Sequence, residues 1–139
     1  MKIFAHRGYS SIFPENTLLA FRKAFEFGAD GIELDVQLSK DDEAVVIHDL
    51  TTDRTAGVHG AVEDFTVSEL TRMNAAFRKQ DLYQKQPIPT LDQVFAEFGS
   101  KLLINVEIKT RNPKRIGKLV DRVVELIQAH GVEESVIFS

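Results

Sequence analysis

Strand-like and helix-like segments alternate along this chain. Apolar runs with the length and residue types of β-strands occur at residues 2–6, 31–39, 43–49, 101–109 and 135–139. Between them, apolar residues recur at helical spacing in residues 16–27, in residues 90–98 and from residue 112 to residue 131. Because a helix is the usual connection between parallel strands, this order predicts an α/β fold with a largely parallel sheet.

The predicted helices carry recognisable end signals. Gly28 and Gly99 follow the first two of these segments and Gly131 ends the third, and Thr90 with Gln93 has the spacing of a capping box. Residues 50–89 are polar and weakly periodic, with one short helix predicted near Thr66, three residues before Glu69. The stripes expected to face the core are Leu18, Leu19, Phe21, Ala24 and Phe25 in the first helix and Ile116, Val120, Val123, Val124 and Ile127 in the last.

The strand at residues 31–39, "GIELDVQLS", has one apolar face and one acidic face. Its even-numbered positions are aliphatic, whereas Glu33, Asp35 and Gln37 share the other face, since side chains alternate along a strand. A solvated strand face would explain this pattern, and so would a covered polar site. Residues 101–109 repeat the pattern with Glu107 and Lys109. Parallel sheets are normally covered on both faces, so the repetition favours a site.

Three carboxylates on one covered face require neutralisation. Two like charges about 4 Å apart repel by about 4 kcal/mol at an effective dielectric constant of 20. Arg7, Lys109 and a divalent cation would together neutralise Glu33, Asp35 and Glu107. The chain has no cysteine, and an all-oxygen ligand set suits Mg²⁺ or Ca²⁺ better than Zn²⁺.

Two histidines are candidates for proton transfer. His6 and His48 lie at the ends of strand-like runs, and the carboxyl ends of parallel strands meet at one rim of a sheet or barrel, where active sites are built. His59 and His130 lack this context and are predicted to be structural or solvated. Arg7 is suited to holding a phosphate, although a single arginine also commonly forms a surface ion pair.

Composition narrows the class of protein. With 139 residues, 43% hydrophobic residues and a net charge of −4, the chain is typical of one globular domain and gives no sign of nucleic-acid binding. No signal peptide is evident, and no segment has the ~20 apolar residues of a membrane span. These features predict a cytoplasmic protein without stable membrane insertion.

The motifs resemble those of the glycerophosphodiester phosphodiesterase family. They are, in order, "AHRGYSSIFPENTLLAF", "GADGIELDVQLSKDDEAVVIHD", "TTDRTAGVHG", "IPTLDQVF", "INVEIK" and "VIFS", which together cover nearly the whole chain. The resemblance implies a (β/α)8 barrel with a small insertion at about residues 50–89, after the third strand. It also implies hydrolysis of a small-molecule glycerophosphodiester to glycerol 3-phosphate and an alcohol, with Pro14 and Asn16 of the "PENT" element in a structural role.

The resemblance assigns roles to the candidate residues. It implies that His6 and His48 are the acid/base pair and that Arg7 and Lys109 hold the phosphate. The implied ligands of the divalent cation, Mg²⁺ or Ca²⁺, are Glu33, Asp35 and Glu107. The alcohol group, the choice of cation and the division of acid and base between the histidines stay open.

A barrel of this family needs more strands than the chain supplies. Residues 1–139 are expected to form about the first five strands, and the family barrel continues for roughly three more. One alternative is an active phosphodiesterase, and the other is a truncated, catalytically silent fragment that oligomerises or pairs with a partner across its last strand. A third reading, cleavage of a phospholipid head group, would favour an amphipathic surface that residues 50–89 lack.

Overall fold

Five β-strands and five α-helices make up the computed structural model, which describes all residues from Met1 to Ser139. The strands are β1 (Phe4–His6), β2 (Gly31–Leu38), β3 (Ala44–Val46), β4 (Leu103–Ile108) and β5 (Val136–Phe138). The helices are α1 (Leu18–Glu26), α2 (Asp53–Ala56), α3 (Val67–Thr71), α4 (Leu91–Phe98) and α5 (Ile116–His130). Short 3₁₀ turns cover Val62–Asp64, Phe77–Lys79 and Pro113–Arg115.

Four of the strands are parallel and lie in the order β1-β2-β4-β5. The long strand β2 is central: β4 pairs along one edge, while β1 and β3 share the other. The sheet confirms the predicted α/β fold, and it is open, with unpaired outer edges on β1 and β5.

The strand predicted at residues 43–49 differs from the expectation of successive parallel strands. It is shorter, Ala44–Val46, and runs antiparallel to β2, with Val36 opposite Val46. The connection explains the direction, because residues 39–43 form a short hairpin loop, whereas a parallel crossover needs a dozen or more residues. β2 therefore pairs directly with β4, and β3 is not one of the successive parallel strands.

The main core lies between one face of the sheet and the three longer helices. Ile32, Leu34 and Val36 of β2 are fully buried there. Apolar residues of α1, α4 and α5 pack against them. A second, smaller cluster lies under residues 50–89, formed by Val45, Ile47, Ala56, Val62, Leu70 and Ile88.

The predicted helix faces were partly wrong. In α5 the buried side chains include Leu119 and Leu126, whereas the predicted Val120 and Val124 are 36% and 38% exposed. Both sets have helical spacing, so periodicity alone does not choose between them, and contact with the sheet selects the one with the larger leucines. The other predicted residues that proved exposed are Phe25 and Ile116.

The predicted helix ends are confirmed. Thr90 with Gln93 and Thr66 with Glu69 form complete capping boxes at the starts of α4 and α3. No helix combines the length and apolar character required to cross a bilayer. At the outer edge of β5, Ile137 is 49% exposed, and the predicted oligomer covering this edge stays a prediction.

Candidate active site

The acidic face of β2 is covered. Asp35 has no exposed surface, Gln37 is 4% exposed and the Glu33 side chain is 12% exposed. The solvated-face explanation of this pattern is therefore wrong. A covered carboxylate needs a partner that offsets its lost hydration, so the neighbours of these side chains determine what the face can do.

The three predicted acidic ligands meet at one point. Parallel pairing of β2 with β4 places Asp35 opposite Glu107. One carboxylate oxygen from each of Glu33, Asp35 and Glu107 lies within 4.8 Å of the others. Two buried oxygens, Glu33 Oε1 and Asp35 Oδ1, have no hydrogen-bond partner. Three convergent oxygens, two of them unpartnered, fit a hard divalent cation such as Mg²⁺ or Ca²⁺.

The cluster perturbs its own titration. Burial, followed by the charge of Asp35, raises the pKa of Glu33 from 4.5 to about 7. Glu107 behaves differently because the Lys109 ammonium, 2.6 Å from its Oε1, lowers its pKa. Lys109 thus favours the ionised form of Glu107, whereas burial and Asp35 oppose ionisation of Glu33.

Both predicted cationic side chains lie beside this cluster. Arg7 Nε is 3.4 Å from Asp35 Oδ2, and Lys109 Nζ is 3.9 Å from Asp35 Oδ1. A guanidinium offers a planar fork of donors, and an ammonium is a compact point charge. Both cations therefore offset part of the negative charge of the cluster.

A tight loop after β1 aims Arg7. Arg7 and Asn16 have positive φ angles of 57° and 53°, an uncommon conformation for residues other than glycine. The Asn16 N–H donates to Arg7 O, and Asn16 Nδ2 donates to Asp35 Oδ2 at 3.0 Å. Gly8 is required by packing, since a Cβ there would lie 2.8 Å from the backbone of Ala20. Strained backbone of this kind is often found at functional sites.

Of the two predicted histidines, His6 contacts the carboxylate cluster directly, whereas His48 contacts Asp49. His6 follows the rim prediction: it ends β1, and its Nε2 lies 3.6 Å from Glu33 Oε2, with the side chain two-thirds exposed. The prediction that His48 ends a strand at the same rim was wrong, because β3 is antiparallel and stops at Val46. Instead, the side chain of Gln37 holds the His48 segment against the polar face.

Gln37 uses one amide nitrogen to hold that segment. Its Nε2 donates to the carbonyl oxygens of Ile47, His48 and Asp49 at 3.0, 3.1 and 2.6 Å. His48 also lines the same small cavity as Asn16, which binds Asp35. The polar face of β2 therefore carries Asp35 and, through Gln37, holds the backbone segment that contains His48.

Three residues at the site were missed by sequence reasoning: Glu15, Asp49 and Arg54. Arg54 forms ion pairs with Glu15 and with Asp49. Asp49 in turn contacts His48, and Glu15 contacts Arg7. Asp49 belongs to "HD" and Arg54 to "TTDRT", segments without periodicity that would expose their role. Glu15 lies in the "PENT" element, for which only a structural role was expected.

The other two histidines lie apart from this network, as expected. His59 Nδ1 pairs with Asp53 on the surface, and His130 Nε2 pairs with Asp92 between α4 and α5. Neither shares a partner with the carboxylate cluster.

The raised pKa of Glu33 predicts pH-dependent stabilisation by a divalent cation. Its folded-state pKa of about 7 exceeds the ordinary 4.5, so the favourable contribution is complete below pH 4.5 and is lost as the pH rises through 7. A bound cation offsets that loss. We expect Mg²⁺ or Ca²⁺ to raise the thermal unfolding midpoint more at about pH 8 than at about pH 5.

Thermal unfolding with chelator and with each cation, at both pH values, measures this effect. Glu33→Gln is the matched variant, because it removes the titrating group and should flatten the pH dependence. A cation-induced increase of equal size at both pH values in the unsubstituted chain would contradict the prediction.

Comparison with known proteins gives consistent matches. Residues 6–136 match the model of the glycerophosphoryl diester phosphodiesterase family. A glycerophosphodiester phosphodiesterase of Caldanaerobacter subterraneus subsp. tengcongensis is 45% identical over 138 residues, which is 99% of this chain and 56% of that protein. The chain thus spans little more than half the length of the curated relatives that it matches across nearly all of its own residues.

Solved structures match over the whole chain. The crystal structure of a glycerophosphodiester phosphodiesterase from Agrobacterium tumefaciens is 32% identical, with a TM-score of 0.88 covering 100% of this chain and 57% of that one. An Oleispira antarctica phosphodiesterase, solved in complex with the product sn-glycerol-3-phosphate, is 30% identical, with a TM-score of 0.89 covering 99% of this chain and 56% of that one.

Proposed function

The chain belongs to the glycerophosphoryl diester phosphodiesterase family, and from that premise we propose that its site hydrolyses glycerophosphodiesters to glycerol 3-phosphate and an alcohol. The observation that carries the proposal is the convergence of Glu33, Asp35 and Glu107 beside two cationic side chains. A cluster of this composition suits an anionic, oxygen-rich reacting group.

We assign the carboxylate cluster to a divalent cation, Mg²⁺ or Ca²⁺. The unpartnered Glu33 Oε1 and Asp35 Oδ1 support the assignment, since buried carboxylate oxygens without donors are costly unless a cation binds them. When bound, the ion supplies positive charge that polarises a phosphoryl oxygen. The remaining roles belong to side chains of the chain itself.

Arg7 and Lys109 are assigned to the phosphate. A phosphodiester repels nucleophiles because it is negatively charged, and its transition state carries more charge on the phosphoryl oxygens. Charge-assisted hydrogen bonds from a guanidinium and an ammonium stabilise that additional charge. Asn16 donates a hydrogen bond to Asp35, and Glu15 accepts one from Arg7. The positive groups beside Asp35 are therefore held in place and need little reorganisation during the reaction.

His6 and His48 are assigned to proton transfer. The attacking hydroxyl must lose a proton and the departing alkoxide must gain one, so one imidazole acts as base and the other as acid. His6 Nε2 lies 3.6 Å from Glu33 Oε2, and Gln37 holds the backbone of His48 beside the polar face of β2.

Release of glycerol 3-phosphate from glycerophosphodiesters tests the proposal on this 139-residue chain. We expect turnover with Mg²⁺ or Ca²⁺, loss on chelation and recovery when the cation is restored. A chain that binds the cation and assembles, as judged by sizing chromatography, yet releases no product under any of these conditions would favour the silent-fragment alternative and refute activity of this chain.

A further inference from the structure

We propose that Arg54 is a positioning residue that holds the proton-transfer group His48 through Asp49 and the phosphate-holding group Arg7 through Glu15. The inference rests on the proposed function for its catalytic meaning. Its structural content, that one guanidinium fixes two functional side chains, is independent of any activity.

The Arg54 guanidinium donates paired hydrogen bonds to two carboxylates, those of Asp49 and Glu15. Its Nε and Nη2 donate to the two oxygens of Asp49 at 2.7 and 2.9 Å. Its Nη1 and Nη2 donate to the two oxygens of Glu15 at 2.7 and 3.0 Å. Paired donors on both carboxylates restrict rotation as well as distance. A lysine ammonium lacks this planar geometry and cannot form paired hydrogen bonds with both carboxylates.

The contact between Asp49 and His48 selects one tautomer of the His48 ring. His48 Nδ1 lies 2.8 Å from Asp49 Oδ1. Paired hydrogen bonds from Arg54 fix the orientation of the Asp49 carboxylate and lower its pKa to about 2, and at neutral pH this ionised group only accepts hydrogen bonds. The proton of a neutral His48 ring is therefore held on Nδ1, and Nε2 is left free to take or give a proton.

Glu15 connects Arg54 to Arg7, the side chain assigned to the phosphate. Glu15 Oε2 accepts from Arg54 and also from Arg7 Nη1, the latter at 3.1 Å. Burial opposes ionisation of Glu15, but Arg54 and then Arg7 outweigh it and lower the Glu15 pKa. Two guanidiniums thus share one carboxylate, which fixes their separation.

Arg54 is itself carried by a fixed element. It lies in α2 and is followed by the buried Thr55 and Ala56, and Ala56 packs into the smaller core. Thr52, also buried, donates from Oγ1 to Val58 O at 2.6 Å and closes the turn around α2. The 50–89 segment therefore supports the site through Arg54, a task that its low hydrophobic periodicity does not reveal.

The test compares Arg54→Gln and Arg54→Lys with Arg22→Gln. Arg22 is the matched control because it also binds one glutamate, Glu97, through two hydrogen bonds, but does so on the surface between α1 and α4. Circular dichroism and thermal unfolding establish that each variant is folded. Should Arg54→Gln fail to fold, Arg54→Lys, which keeps the charge, supplies the comparison.

The first measurement is independent of turnover. Nitrogen-15 NMR of His48 reports which ring nitrogen carries the proton, with Asp49→Asn as the reference for a disrupted contact. We expect His48 to be protonated on Nδ1 in the unsubstituted chain and in Arg22→Gln. In Arg54→Gln the population should shift toward Nε2, with an intermediate shift in Arg54→Lys. An unchanged tautomer in both Arg54 variants would overturn the proposal.

The second measurement is steady-state kinetics on a glycerophosphodiester. Loss of an outer partner should lower kcat by about 10- to 100-fold and raise KM, because both His48 and Arg7 lose their support. Lysine should recover part of kcat. Wild-type kcat and KM in Arg54→Gln would overturn the catalytic part of the inference. An inactive unsubstituted chain would instead refute the proposed function, and the NMR result would still decide the role of Arg54.

Discussion

Asp35→Asn is expected to abolish cation binding and reduce hydrolysis more than about 100-fold, beyond the loss typical of substituting an outer-sphere residue. Asp35 is the fully buried member of the carboxylate cluster, and its Oδ1 has no hydrogen-bond partner. An amide has nearly the same shape but carries no charge, so the substitution tests the charge without creating a cavity. It also leaves Arg7 and Lys109 facing a neutral group.

Calorimetric titration with Ca²⁺ and Mg²⁺, together with the product-release assay, measures the effect. Asp121→Asn is the matched control because Asp121 lies exposed on α5, away from the cluster. Thermal unfolding adds an independent readout, since a cation should stabilise the control and leave Asp35→Asn unchanged. Cation affinity that survives the substitution would remove Asp35 from the ligand set.

The acidic centre of the site was predictable because its pattern is local. Side chains alternate along any strand, so Glu33 and Asp35 had to share a face, and adjacent parallel pairing then brings Glu107 opposite Asp35. The shared face requires only the strand period. The pairing of β2 with β4 also depends on the hairpin that turns β3 back along β2, which the order of elements did not predict.

The surrounding residues could not be predicted in this way. Glu15, Asp49 and Arg54 lie in loops and in one short helix, where no period relates sequence position to direction. Their convergence depends on the hairpin that turns β3 back along β2 and on Gln37 holding the segment after it. The same lack of tertiary information misassigned the face of α5, since two stripes there satisfy helical spacing equally.

The carboxylate cluster and the side chains around it are held in place by different interactions, so substitutions should affect cation binding and turnover differently. The cluster lies on the adjacent strands β2 and β4, whereas His48 and Arg7 are connected through Asp49 and Glu15 to the ion pairs of Arg54. Cation binding should therefore tolerate changes in the 50–89 segment that impair turnover. Cation affinity and catalytic rate should separate on substitution of Arg54, and should fall together on substitution of Asp35.

Substituting either proposed acid/base histidine should lower the rate on a glycerophosphodiester by about 100- to 10,000-fold, the usual contribution of general acid–base catalysis. His6→Gln and His48→Gln both keep a polar side chain but remove the titrating ring. Their responses should diverge on a phosphodiester whose leaving group is a nitrophenol, because a weakly basic leaving group departs without a proton. The variant that lacks the acid should recover on that substrate, while the variant that lacks the base should stay slow.

Steady-state rates of both variants on both substrates therefore assign the two roles. His59→Gln is the control, since that ring is 96% exposed and pairs with Asp53 outside the site. Its rates should match those of the unsubstituted chain on either substrate. If neither variant loses activity on the alkyl substrate, neither imidazole transfers a proton in the reaction. If both recover on the aryl substrate, no imidazole serves as base, and the attacking hydroxyl must be activated by the carboxylate cluster and its cation.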